Sequence, residues 1–164
     1  MKNTDPPDSA EKFTLPSPES AKFIESLGIY FENEGVSRIG GRILGLLLIA
    51  HKPLSGEEIA EVLQVSRASV STNIRLLLNS GLVEKTAFLN QRSTYFAIAE
   101  TAWEQVIRAS IQKVNAFKNI ARSGLAALPE QDVARGRLEE MIAWAEAMAM
   151  LYENALEQWQ ARKS

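Results

Sequence analysis

Covalent chemistry has few candidates in this chain. It holds one histidine, His51, and no cysteine in 164 residues. Without a thiolate, and with a single imidazole, only carboxylates remain to hold a metal. The adjacent pairs Glu57–Glu58 and Glu139–Glu140 read as helical, and neighbours on a helix do not face one another. Ser110 and Lys113 have the S-x-x-K spacing of penicillin-binding enzymes, but no S-D-N or K-T-G follows and the motif lies mid-helix. No G-x-x-x-x-G-K-[ST] phosphate loop occurs. His51, beside Lys52 and Pro53 at a helix end, reads as a solvated or dipole-favoured side chain. The expectation is therefore no enzyme, no catalytic set, no metal and no cofactor.

Non-covalent chemistry is concentrated in one stretch, "VSRASVSTNIRLLLNSGLVEK" (residues 65–85), which carries no acid before Glu84 and holds most of an acid-free run from Val62 to Val83. On a helix, Val70, Ile74, Leu77 and Leu78 share one face and bury. Arg67, Ala68, Ser69, Ser71, Thr72 and Arg75 point away or flank, and their types suit a DNA major groove. Arginine can hold guanine O6 and N7 with two bonds, hydroxyls donate or accept, and small side chains admit close approach. Asn73 suits an adenine or a phosphate. An acid here would repel phosphates. Ser66 caps the helix, whose N-terminus offers N–H groups and a positive dipole end to a phosphate. Charge placement agrees: residues 1–35 carry −4, residues 36–95 +3 and residues 96–164 −1. A basic middle between acidic flanks hints at a polyanionic partner.

Several elements must position this helix. Residues 1–17, with Pro6, Pro7 and Pro16, read as a flexible arm. From Ser20, the residues Phe23, Ile24, Leu27, Tyr30 and Phe31 recur at helical spacing, and Gly35 stops the helix. Ser37 caps a second helix that ends before Pro53. Its Gly40, Gly41 and Gly45 each lower helix propensity by about 1 kcal/mol, so close packing against another helix is expected to compensate. Ser55 and Glu58 form a capping box ahead of Ile59, Val62 and Leu63. A short turn then leads to the Ser66-capped helix, which ends at Gly81, giving helix-turn-helix spacing. "LVEKTAF" and "YFAIA" read as two strands of a β-hairpin, a wing with its tip at Asn90–Thr94. Arg92 on that tip could enter a narrow minor groove. A long helix follows to about Ser123, and Pro129 is placed to open the last one.

That last helix carries Leu138, Met141, Ala145, Met148, Tyr152, Ala155 and Trp159 at heptad spacing. The seam reads as a subunit interface, with an intramolecular core face as the alternative. Trp103, Trp144, Trp159, Phe117 and Tyr152 could enclose a quaternary ammonium group. Aromatics on a seam read more simply as core or interface, so no ligand site is assigned.

The stretch from Phe23 to Lys85, above all "SRIGGRILGLLL" and S-x-x-S-V-S-T-N-I-R-L-L, resembles the GbsR-type branch of the MarR family of bacterial transcriptional regulators. The similarity covers residues 20–100 well; the later helices match in general plan. The resemblance implies a homodimer whose first and last helices form the interface, here Phe23, Leu27 and Tyr30 with Leu138, Met141, Met148, Tyr152 and Trp159. It implies binding of double-stranded DNA at a pseudo-palindromic operator, usually as a repressor. A small-molecule effector, of unknown identity, often acts in such regulators. The match departs at Asn90, where many relatives carry an acid that pairs with the wing arginine.

The expected fold is mainly α with a small β-hairpin: a winged helix-turn-helix DNA-binding region with an N-terminal dimerisation helix over 18–100, and a helical dimerisation region over 101–164. No basic-then-apolar leader opens the chain and the apolar run 43–50 is too short to cross a bilayer, so a cytoplasmic location with no membrane partner is expected. Winged helices also serve as protein-interaction modules without DNA, which stands as the alternative.

Overall fold

Each helix start in the first part of the chain carries its own chemical signal. The computed structural model describes residues 13–14, 17–88 and 93–163. It divides into two units, Met1–Ala102 and Trp103–Ser164.

In the first unit, α1 (Pro18–Asn33) begins after Ser17, whose side chain accepts from the Ser20 N–H. Gly35 follows with φ of 75°, the left-handed conformation a glycine stop supplies. Ser37 caps α2 (Arg38–Ile49). The strand β1 (Leu54–Ser55) leads into α3 (Gly56–Leu63), where the capping box is complete. The Ser55 N–H donates to the Glu58 carboxylate at 2.7 Å, and the Glu58 N–H donates to the Ser55 hydroxyl at 3.2 Å. Gln64 turns the chain in the left-handed region, with φ of 53°. Then α4 (Arg67–Asn79) starts from its Ser66 cap, and Gly81 closes it with φ of 73°.

The wing is a three-stranded antiparallel sheet rather than a bare hairpin. Its order is β1-β3-β2, with β2 at Val83–Thr86 and β3 at Tyr95–Ile98. Val83 pairs with Ile98, Lys85 with Phe96, and Leu54 with Phe96 on the other edge of β3. A two-residue strand shows no alternation in sequence, so β1 was not expected; the buried Leu54 side chain anchors it.

The core joins α2, α3, α4 and the sheet through Ile43, Leu46, Leu54, Ile59 and Ile74. Close packing does compensate Gly41 and Gly45 of α2, and their partner is α1. A Cβ on Gly41 would lie 2.7 Å from the Leu27 carbonyl oxygen and 3.0 Å from the Gly28 Cα. On Gly45 it would lie 3.2 Å from the Ile24 Cα. Arg42 ties this pair to the helix-turn-helix: its Nε lies 2.6 Å from the Glu25 carboxylate, and its Nη2 donates to the Leu63 carbonyl at 2.9 Å. The arm expected over 1–17 has at least one fixed point. Phe13 is buried in the core, its ring 5.5 Å from that of His51, because an aromatic gains more from burial than a polar arm loses by docking.

The second unit consists of α5, which runs Ala102–Ala127, and α6 (Arg135–Ala161). They are antiparallel: Gln160 reaches Glu104, Trp144 meets Phe117, Glu146 pairs with Arg122, and Leu138 lies against Gly124. Pro129 does not open α6. It follows the end of α5, where proline is favoured because it stops a helix. The Arg135 guanidinium donates to the Leu125 and Leu128 carbonyls, both at 3.1 Å, and so caps α5 while starting α6.

Candidate nucleic-acid interface

The outer face of α4 is made by subtraction. Val70, Ile74 and Leu77 bury against the core and fix the helix about its axis. The opposite side then presents Ala68, Thr72, Arg75 and Asn79 in one line, at spacings of four, three and four. Ser71 flanks that line on one side and Leu76, 56% exposed, on the other. Ser71, Thr72 and Arg75 make no side-chain hydrogen bond or ion pair with the described residues, so their donors and acceptors are free for a partner.

Ser66 and Ser69 are differently placed. The Ser66 hydroxyl accepts from the Ser69 N–H at 3.1 Å, and the two hydroxyls lie 2.9 Å apart. They fix the start of the helix, and one of its N–H groups is already satisfied. Arg67 is exposed and ion-paired with Glu57 of α3 across the turn.

Asn73 corrects the expectation that it contacts DNA. Its side chain is only 6% exposed and faces α2, not solvent. Its Nδ2 donates to the Ser69 carbonyl at 2.8 Å. Its Oδ1 would lie 3.2 Å from a Cβ on Gly40, so the absent side chain at Gly40 makes room for the amide. A polar residue on the inner edge of an amphipathic helix looks like an outer one in sequence; only the packing partner distinguishes them.

A groove of about 420 Å³ runs between α4 and the sheet. Val70, Ile74, Leu78 and Phe96 give it an apolar floor, and Arg67, Arg75 and Lys85 bring three cations to its walls. Lys85 of β2, Asn79 and Leu76 were not among the expected contacts. Asn79 continues the line from Arg75 and was legible from helical spacing; Lys85 required the sheet to be placed beside α4. The expected wing contact, Arg92, and Asn90 lie outside the described residues.

The expected dimer residues divide. On α1, Phe23 and Tyr30 are exposed one heptad apart, while Leu27 packs on α2 beside Gly45. On α6, Leu138, Met141, Met148, Tyr152 and Trp159 are half-buried and Ala145 is fully buried. Ala155 is exposed, whereas Ala149, outside the heptad seam, is buried. A straight helix drifts about 20° per heptad, so a strict seam rotates off the packed line along α6. Large apolar side chains stand outside that line, Trp144, Met150 and Leu151 among them. Ser110 donates to the Val106 carbonyl at 3.0 Å, an ordinary helix back-bond.

The chain matches the family model of the MarR family over residues 34–90 and that of the MmpR5-like MarR family transcriptional regulators over residues 101–162. It is 33% identical over 147 residues to the HTH-type transcriptional regulator MmpR5 of Mycobacterium tuberculosis, covering 88% of this chain and 89% of that one. A crystal structure of a transcriptional regulator superposes with a TM-score of 0.78 at 33% identity, over 88% of this chain and 99% of the other. Identity sustained through both the helix-turn-helix and the C-terminal helices settles the matter: the chain belongs to the MarR family of transcriptional regulators.

Proposed function

We propose that this regulator binds duplex DNA sequence-specifically as a homodimer at a pseudo-palindromic operator and represses transcription. The observation that carries the reading is the outer face of α4: exposed, acid-free, and furnished with Ser71, Thr72, Arg75 and Asn79 beside a cationic groove. Arg75 holds a guanine edge, Ser71 and Thr72 reach bases or phosphates, Ala68 permits close approach, and Leu76 offers a methyl contact to thymine. Ser66 and Ser69 fix the start of the helix. Arg92, outside the described residues, serves the minor groove in this reading.

Homodimerisation gives two recognition helices a two-fold relation, matched to half-sites about 34 Å apart. Each unit supplies apolar surface for it: Phe23 and Tyr30 on α1, and Trp144 and Leu151 beside the half-buried seam on α6. We assign the chain to the GbsR-type branch on the stretch from Ser37 to Leu48. An effector that binds one dimer geometry better than another would change the helix spacing and so the affinity for the operator. No described helix is long and apolar enough to cross a membrane, and a DNA-bound regulator works in the cytoplasm.

The test is selection of bound duplexes from a random pool at two salt concentrations. An enriched inverted repeat whose binding weakens steeply with salt is expected. Failure to enrich any sequence, with binding to a protein partner instead, would place the winged helix among protein-interaction modules.

A further inference from the structure

The groove between α4 and the sheet contains one carboxylate among its cations. Glu57 lines it with Arg67, Arg75 and Lys85, and Arg67 is ion-paired with Glu57. Both partners of that pair are largely exposed, at 74% for the Arg67 side chain and 68% for Glu57. Arg75 and Lys85 have no acidic partner among the described residues. The groove is therefore amphipathic in a particular way: cations on the walls and an apolar floor of Val70, Ile74 and Phe96. A sugar-phosphate strand has the same two characters, an anionic phosphate and an apolar sugar face.

We propose that Glu57 is a built-in stand-in for a DNA phosphate, which holds Arg67 until the correct sequence draws it away, and so suppresses non-specific binding. The inference rests on the DNA-binding reading above and adds a residue that lowers affinity on purpose. On a random duplex, contacts are loose and Arg67 stays with Glu57. On the operator, α4 seats fully and Arg67 transfers from carboxylate to phosphate or base. An exposed ion pair is weak enough to be exchanged in this way, and a phosphate bears the same charge sign in the same place.

The experiment compares wild type, Glu57→Gln, Arg67→Ala and the double variant on two duplexes of equal length, the selected operator and a scrambled sequence, across a salt series. Glu57→Gln should tighten binding to the scrambled duplex by about 1.5- to 5-fold per protomer, the range of an exposed ion pair. Its salt slope there should steepen by about 0.9 per protomer, one added phosphate contact. On the operator the slope should stay as in wild type, because Arg67 is already engaged. In the Arg67→Ala background, Glu57→Gln should have no effect on the scrambled duplex. An unchanged slope on scrambled DNA overturns the proposal, as does an equal gain with Arg67 removed, which would make Glu57 a general repelling charge. If wild type and Glu57→Gln bind neither duplex, the DNA reading itself fails and takes this inference with it. Circular dichroism of each variant checks that the exposed changes leave the fold intact.

Discussion

Asn73 and Arg75 stand two residues apart on α4 and should fail in opposite ways when replaced by alanine. Asn73 is buried, donates to the Ser69 carbonyl at 2.8 Å and fills the space above Gly40. Its loss removes one intramolecular hydrogen bond, a net of about 0.5–1.5 kcal/mol. Alanine returns up to about 0.7 kcal/mol in helix propensity, and the emptied space beside Gly40 costs some packing. The expected result for Asn73→Ala is a destabilisation of about 1 kcal/mol. Its operator affinity, measured where the protein remains folded, should change little. Arg75 is exposed with no partner among the described residues, so Arg75→Ala should keep its stability within about 0.5 kcal/mol of wild type. It should lose about 1–3 kcal/mol of operator binding, roughly 5- to 150-fold, if it holds a guanine. Urea denaturation and a fluorescence titration of labelled operator separate the two effects. The reasoning is refuted if Asn73→Ala weakens operator binding as much as Arg75→Ala while its urea midpoint is unchanged, since α4 would then face DNA with its other side.

Other consequences are open to measurement. Gly41→Ala would push a methyl against the Leu27 carbonyl and the Gly28 Cα, backbone atoms that cannot rotate aside, and should destabilise by about 1–3 kcal/mol despite the propensity gained. Gly136→Ala, with nothing within 4 Å of the new methyl, should instead be neutral or stabilising, and a matching loss at both sites would show that steric contact is not the cause. Leu151→Glu or Tyr30→Glu places a charge on exposed apolar surface and should yield monomers in sedimentation velocity; a persistent dimer would put the interface elsewhere. The Glu104 carboxyl is held below the usual carboxylate range, first by the Arg108 hydrogen bond and then by that of Gln160. Its contribution to α5–α6 pairing is therefore present above the unfolded value of about 4.3 and lost as pH falls through the lowered folded value. Glu104→Gln should flatten the acid limb of the stability profile; an identical limb would show that the pair contributes nothing.

Much of this protein was determined by short-range chemistry that the sequence displays openly. Caps at Ser37, Ser55 and Ser66, stops at Gly35 and Gly81, and the apolar period of α4 act within one or two turns. They define the helix-turn-helix and the solvent side of its second helix without reference to the rest of the chain. The same locality explains the errors. Pro129 is compatible with the start of one helix and the end of another, and only the Arg135 guanidinium on the α5 carbonyls decides between them. The two residues of β1 are too few to show a period, and they become a strand because β3 lies beside them. Asn73 has the composition of a contact residue, but Gly40, 33 positions earlier, takes it out of reach. The Glu57–Arg67 pair and the arrival of Lys85 beside α4 likewise depend on where α3 and the sheet come to rest. Local hydrogen bonds and side-chain period thus determine which segments are helices and which side of each is apolar. Which polar side chain is free to meet DNA, and which is already occupied, is set by packing between segments distant in sequence, because burial and ion pairing belong to pairs of elements rather than to one.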